Sequence, residues 1–247
     1  MYLYIYDQSV QDRKYERDMA AIENRLTDLG IAGKVIRMAL FRHAGENIRD
    51  EARRGASTVV VVGNDRTVAH VLDAVVEADL PLGVIPVGPD NQFAQMLGIP
   101  NGVEACDVLS ARIIERVDTG LINGKRFVTG VRVSNPDAKL ICEGQYSVSA
   151  PDGGLIEIRN FTPINGVVKD LADPCDGFFE ARIRVPRREG WFKKIVGSTT
   201  LPIRFGTIEA LREFDAVCDG QVMRGKKFDI AIEPLRLKVI TGRDRMF

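Results

Sequence analysis

Histidine and tryptophan are scarce in this sequence: two and one, respectively, among 247 residues. His43 and His70 are too few for most metal clusters. Cysteine is also thin. Cys106, Cys142, Cys175 and Cys218 are scattered without a CxxC pair. That argues against a disulfide framework or a zinc site and for reduced cytosolic thiols. No excess of charge of either sign exists, since 34 basic residues balance 34 acidic ones. A global electrostatic footprint for nucleic acid is therefore absent. No apolar run approaches the roughly 20 residues of a membrane span. The opening MYLYIYDQ lacks the basic and long apolar regions of a signal peptide. Repeats, low-complexity tracts and a Pro/Ser-rich linker are missing too. The expectation is a cytoplasmic protein with no nucleic-acid partner.

What is present is ample apolar residue for a core, 45% of the chain. Residues 1–115 alternate strand and helix patterns. MYLYIYD, GKVIRMAL, TVVVVG and LGVIPVG read as strands. Residues 11–29, NIRDEARRGA, 91–97 and 103–115 read as helices. Within VVVVGNDRTVAHVLDAV, Val68, Val71, Leu72, Val75 and Val76 form one apolar stripe at helical spacing. Repeated βα units imply a mainly parallel sheet with helices on both faces. From residue 116 to 247 the pattern changes to short β runs separated by Asn-Gly, Asp-Gly and Pro signals. Asn123-Gly124 reads as a hairpin turn. This half is expected to be an all-β antiparallel sandwich, its last strand an option for return to the first domain.

Ligands of open α/β sheets sit beyond the carboxyl ends of strands. Two turns lie there, Gly63-Asn64-Asp65-Arg66-Thr67 and Pro86-Val87-Gly88-Pro89-Asp90-Asn91. Each precedes a helix, whose free N–H groups and dipole favour an anion. Asp65 suits the N-cap position. Equally, Asp65 and Asn91 serve as plain helix caps in a site that binds nothing.

Taken together, the two turns resemble those of the diacylglycerol kinase and sphingosine kinase superfamily. That family reads strand-GGDGT-helix, then strand-PLGTGNDFA-helix. The shared framework here is Gly63, Asp65, Thr67, Val71, Pro86, Gly88, Asn91, Phe93, Ala94, Leu97, Gly98, Ile99 and Pro100. Further on, Asp118-Thr119-Gly120, Asn123-Gly124-Lys125, Asp176-Gly177-Phe178-Phe179-Glu180 and Asp219-Gly220-Gln221 follow the family's order of motifs. The resemblance implies ATP-dependent phosphoryl transfer to a lipid hydroxyl, with magnesium on the phosphates. It assigns Gly63, Asn64, Arg66, Thr67, Gly88 and Asn91 to nucleotide binding. It gives Asp65, Asp219 and Gln221 to catalysis, and Asp176 to a metal.

The departures fall on the chemistry. Asn64 and Arg66 replace glycines whose positive φ would bring backbone close to phosphate. Arg66 offers a guanidinium in exchange. Pro89 removes an N–H donor, and Asp90 adds negative charge. Asp7-Gln8-Ser9-Val10 replaces a glycine-containing loop after the first strand. Gln221 stands where the family places a glutamate base, and an amide cannot serve as one. Asp219, two residues away on an assumed strand, is the substitute expected to share its face. The β-domain is also short. An impaired kinase is thus one reading, and a non-catalytic binding or structural relative the other. Arg187–Lys194, four cations beside Trp191 and Phe192, reads as a loop offering weak membrane-surface contact or simply a solvated one. A free strand edge makes a homodimer an option.

Overall fold

A computed structural model describes residues 1–38, 44–151, 153–161, 172–189 and 193–247. His43 and Trp191 lie outside the described residues. The chain forms two units, Met1–Val117 with Leu235–Phe247, and Asp118–Pro234.

The first unit is built on β1 (Tyr2–Tyr6), β2 (Lys34–Arg37), β3 (Thr58–Gly63) and β4 (Leu82–Pro86). They pair in parallel in the order β2-β1-β3-β4. The chain's last strand, β14 (Gln221–Ile240), adds its end beside β4, with Val239 opposite Leu82. All six residues of β3 are buried, as the run of four valines requires of a strand covered on both faces. The helices are α1 (Glu16–Asp28), α2 (Ala44–Arg53), α3 (Asp65–Glu77), α4 (Gln92–Met96) and α5 (Ala105–Ala111). Right-handed crossovers put α1 on one face of the sheet and α2 and α3 on the other. Accordingly α2 packs on α3, and α1 on α5. The α3 stripe is fully used: Val68, Val71, Leu72, Val75 and Val76 are all buried.

Two helices are shorter than their patterns. The one expected over residues 11–29 starts at Glu16. Before it come two 3-10 turns, Gln8–Gln11 and Arg13–Tyr15, separated by Asp12 in extended geometry. The one expected over 103–115 ends at Ala111, because Arg112 turns left-handed with φ 51°.

The second unit is antiparallel. It uses β5 (Ile114–Ile122), β6 (Lys125–Phe127), β7 (Gly130–Val133), β8 (Lys139–Cys142), β9 (Tyr146–Ser149) and β10 (Leu155–Arg159). Then come β11 (Phe179–Glu189), β12 (Lys193–Ile203), β13 (Phe205–Cys218) and most of β14. An irregularity between Glu209 and Phe214 lets β13 pair with β8 through its first half and β7 through its second. Inward side chains such as Val131, Ile156, Ala181, Ile208 and Phe228 form one core cluster. Asn123-Gly124 joins β5 to β6 with φ of 47° and 83°, the two positive values of a type I′ turn. Asp219-Gly220 does the same between β13 and β14, with φ of 45° and 74°. The basic stretch at 187–194 is not a loop at its flanks: β11 runs through Glu189 and β12 resumes at Lys193. Among the described residues, no helix is long and apolar enough to cross a membrane.

Candidate functional site

Strand order 2-1-3-4 reverses direction between β1 and β3, the position at which open α/β sheets place their ligand crevice, at the carboxyl ends. Asp7 ends β1 there, and Gly63 ends β3. The Asp7 amide donates to Val62 O at 2.9 Å. Its carboxylate accepts from the Thr67 hydroxyl at 2.5 Å, and from the Ser9 hydroxyl at 2.5 Å and amide at 2.8 Å. Burial alone would raise this carboxyl. The Ser9 and Thr67 hydroxyls, the Ser9 amide and the Arg66 charge outweigh it, leaving the group below its ordinary value. Gly63 is required at this junction. A Cβ would sit 2.7 Å from Asp7 Cβ and 3.0 Å from Thr67 Oγ1.

The N-cap of α3 is Asn64, not Asp65. Asn64 is extended (φ −132°, ψ −177°), and its side chain accepts from the Thr67 amide. Either residue type caps well, and one position of chain decides which does so. Asp65 caps the neighbouring helix instead. Its carboxylate accepts from the Gln92 amide at 2.9 Å and the Phe93 amide at 3.2 Å, the start of α4. Its own amide donates to Asp90 O at 3.0 Å. Neither Asn64 nor Arg66 takes the positive φ of the glycines they replace: the first is extended and the second helical. Left-handed backbone appears one turn later, at Gly88 (φ 84°) and Asp90 (φ 64°). Asn91 is buried and donates through Nδ2 to Gly88 O at 2.7 Å. Its Oδ1 is buried with no hydrogen-bond partner among the described residues. Gly63, Asn64, Asp65, Thr67, Gly88 and Asn91 are thus brought together as expected, and Arg66 stands exposed at the rim.

Asp219 and Gln221 belong to the second unit, flanking its β13–β14 turn. Asp219 is in the turn itself, so the expectation that it shares a strand face with Gln221 fails. Its carboxylate accepts from the amides of Val128 (2.7 Å), Thr129 (2.8 Å) and Gly130 (3.2 Å), and from the Thr129 hydroxyl (2.5 Å). Those bonds spend the acceptor capacity that a base would need. Gln221 accepts from Lys125 Nζ at 2.7 Å through its side-chain oxygen. Asp176 is exposed and closes its own turn by accepting from the Phe178 amide at 2.9 Å. Fully buried Asp118 accepts from the Gly177 amide at 2.8 Å. Among the described residues, no group of three or more His, Cys, Asp or Glu side chains is placed to hold a metal. Lys125 and the carboxylate role of Asp7 carry no sequence signal of their own. Both depend on contacts between positions about 60 to 100 residues apart.

A triphosphate with magnesium does not fit the first unit's turns as they stand. Four backbone donors of these turns are committed: Thr67 N–H to Asn64, Asp65 N–H to Asp90, and Gln92 and Phe93 N–H to Asp65. Pro89 has none. The orphan on Asn91 is an acceptor, which a phosphate oxygen cannot satisfy. Asp7, Asp65 and Asp90 also place carboxylates along these same turns.

Residues 2–122 match the family model for the diacylglycerol kinase catalytic domain. A diacylglycerol kinase of Mycobacterium tuberculosis is 30% identical over 123 residues, 42% of this chain and 40% of that protein. A diacylglycerol kinase of Bacillus subtilis is 26% identical over 128 residues, 50% of this chain and 42% of that one. The aligned stretches therefore span less than half the length of these curated relatives. In fold, the crystal structure of a diacylglycerol kinase from Bacillus anthracis superposes with a TM-score of 0.80 at 15% identity, covering 99% of this chain and 98% of the other. The superposition shows the shared fold, and the matched catalytic-domain sequence with its curated relatives leads to one assignment: the chain belongs to the diacylglycerol kinase superfamily of lipid kinases.

Proposed function

We propose that this protein is a lipid-kinase-family member in which ATP-dependent phosphoryl transfer to a lipid hydroxyl is impaired. One observation carries the reading: Asp65, the acidic residue of the GGDGT-like turn, spends its carboxylate on the α4 amides, and its own amide is taken by Asp90. A phosphate approaching these turns meets four committed amides and the carboxylates of Asp7, Asp65 and Asp90. Phosphoryl transfer depends mainly on positioning and charge neutralisation, and this arrangement supplies little of either. The second unit adds to the deficit. Gln221 cannot take a proton, and loss of a general base costs about 10²–10⁴-fold in rate. Isothermal titration calorimetry with ATP and magnesium, ADP and NAD in parallel tests the reading. No binding tighter than the millimolar range is expected. Micromolar ATP binding, or phosphate transfer to a diacylglycerol panel at ordinary kinase rates, would overturn it.

A further inference from the structure

Beside α1 the first unit holds a cavity of about 520 Å³ that none of the kinase-like turns uses. Small-molecule sites commonly have this size. Towards it α1 presents Glu16, Met19, Ala20 and Glu23, one face at helical spacing. The 3-10 turns that precede α1 supply Val10 to Arg13, and the ends of β1 and β2 supply Tyr6 and Arg37. Among the described residues, neither Asp7 nor any member of Gly63–Thr67 or Gly88–Asn91 lines it.

The polar groups of this cavity fall into two sets. Those from the β1 and β2 ends and the far turn of the α1 face satisfy one another. The Tyr6 hydroxyl donates to Glu23 Oε1 at 3.3 Å, Arg37 lies 3.8 Å from Glu23, and the Arg37 guanidinium sits 5.9 Å from the centre of the Tyr6 ring. Those from the start of α1 and the turn before it do not. The side chains of Arg13 and Glu16 make no hydrogen bond or ion pair with any described residue, and Gln11 beside them keeps its amide unpaired in the same way. Val10 and Tyr6, each 2% exposed, and half-buried Met19 supply apolar surface. Unpaired charges are ordinary on an open surface. A free cation and a free carboxylate on the rim of a partly apolar cavity are the few placed polar groups by which such sites orient a ligand. The Arg13 guanidinium suits a carboxylate through paired N–H bonds, and the Glu16 carboxylate accepts from an ammonium. A ligand with one charge alone would cover the opposite rim group without pairing it, which costs free energy. A small zwitterion with an apolar body answers both.

We propose that this cavity binds an α-amino acid with an apolar side chain, its carboxylate on Arg13, its ammonium on Glu16 and its side chain against Tyr6 and Met19. The site lies wholly within the first unit and is independent of phosphoryl transfer. Titration calorimetry of the intact protein with L-leucine, L-methionine and L-phenylalanine tests it. Each is compared with the amine and the acid that lack one of its charges, phenethylamine and 3-phenylpropionate in the case of phenylalanine. At least one amino acid should bind, and more tightly than either of its one-charge analogues. Arg13→Gln and Glu16→Gln should each weaken that binding by about tenfold or more, as loss of a charge-assisted pair does. Arg13→Gln should also erase the advantage over the amine, and Glu16→Gln the advantage over the acid, a pattern that a merely structural loss would not produce. Arg53→Gln, an exposed residue paired with Asp50 on α2, is the charge-matched control and should change nothing. Should either rim variant fail to fold, Ala20→Phe decides, because a ring on that exposed position of α1 fills the cavity and should abolish binding. No binding of any of the three amino acids, equal binding of the one-charge analogues, unchanged binding in the rim variants or in Ala20→Phe, or an equal loss in Arg53→Gln overturns the proposal.

Discussion

At single positions the chain separates steric need from habit. Gly63 has no room for a methyl group, because Asp7 and Thr67 close on it. Gly63→Ala should therefore cost about 1–3 kcal/mol, read as a lower melting temperature. Asp90 holds a left-handed conformation that glycine adopts freely, but aspartate is among the residues that tolerate it. Asp90→Gly should thus shift stability by under about 1 kcal/mol, since relieved strain and added unfolded-state freedom oppose each other. Glu180 gives a pH signature. In the folded chain it keeps its proton up to about pH 8, against an ordinary value of 4.5. Below the lower value both states are protonated, and its contribution is fully present. Between the two values only the folded chain holds the proton, so stability falls as pH rises and levels off above about 8. Glu180→Gln should remove roughly 2 kcal/mol of that decline, measured by urea denaturation at a series of pH values.

Between elements, two carboxylates act as splices. Asp65 joins the start of α3 to the start of α4, and Asp219 joins the β13–β14 turn to the segment between β6 and β7. Asp65→Ala should lower stability by about 0.5–2 kcal/mol whether or not the protein has activity, as loss of a helix cap does. Asp219→Ala should cost more, about 2–4 kcal/mol, because three buried or half-buried amides lose their acceptor together. Thermal melts of the two variants check both values. A drop confined to activity, with melting unchanged, would return these residues to a catalytic role. The same splices mark how far the sequence could be read. The four valines and the stripe from Val68 to Val76 announced β3 and α3, because periodicity is a local property. Asn123-Gly124 announced its hairpin through turn chemistry alone. Whether Asn64 or Asp65 caps α3 depends on α4 lying alongside, and that is not local. Asp219 was misplaced onto a strand because the register of a two-residue turn is set by the pairing of its strands.

Across the whole molecule, the chain crosses from the first unit to the second and back. Leu237, Val239 and Ile240 are buried in the first unit's core, although they are distant in sequence from β4. Each contributes about 1.5–3 kcal/mol of burial. Their sum rivals the net stability of a typical domain. A fragment of residues 1–117 should therefore lose its cooperative melting transition. A sharp transition equal to that of the intact protein would show β14 to be dispensable. The shared architecture at 15% identity fits this picture. Patterns of burial and turn chemistry preserve a fold while individual loop residues change beneath it.

The strand that borders β4 is made only after the whole second unit. During synthesis the βα half emerges first with one flank of its sheet unpaired, and the entire second unit must be threaded before Leu235 appears. At about 5–20 residues per second that interval is on the order of ten seconds. For that time the nascent chain carries an apolar parallel-sheet border, the kind of exposed edge that invites pairing with another chain.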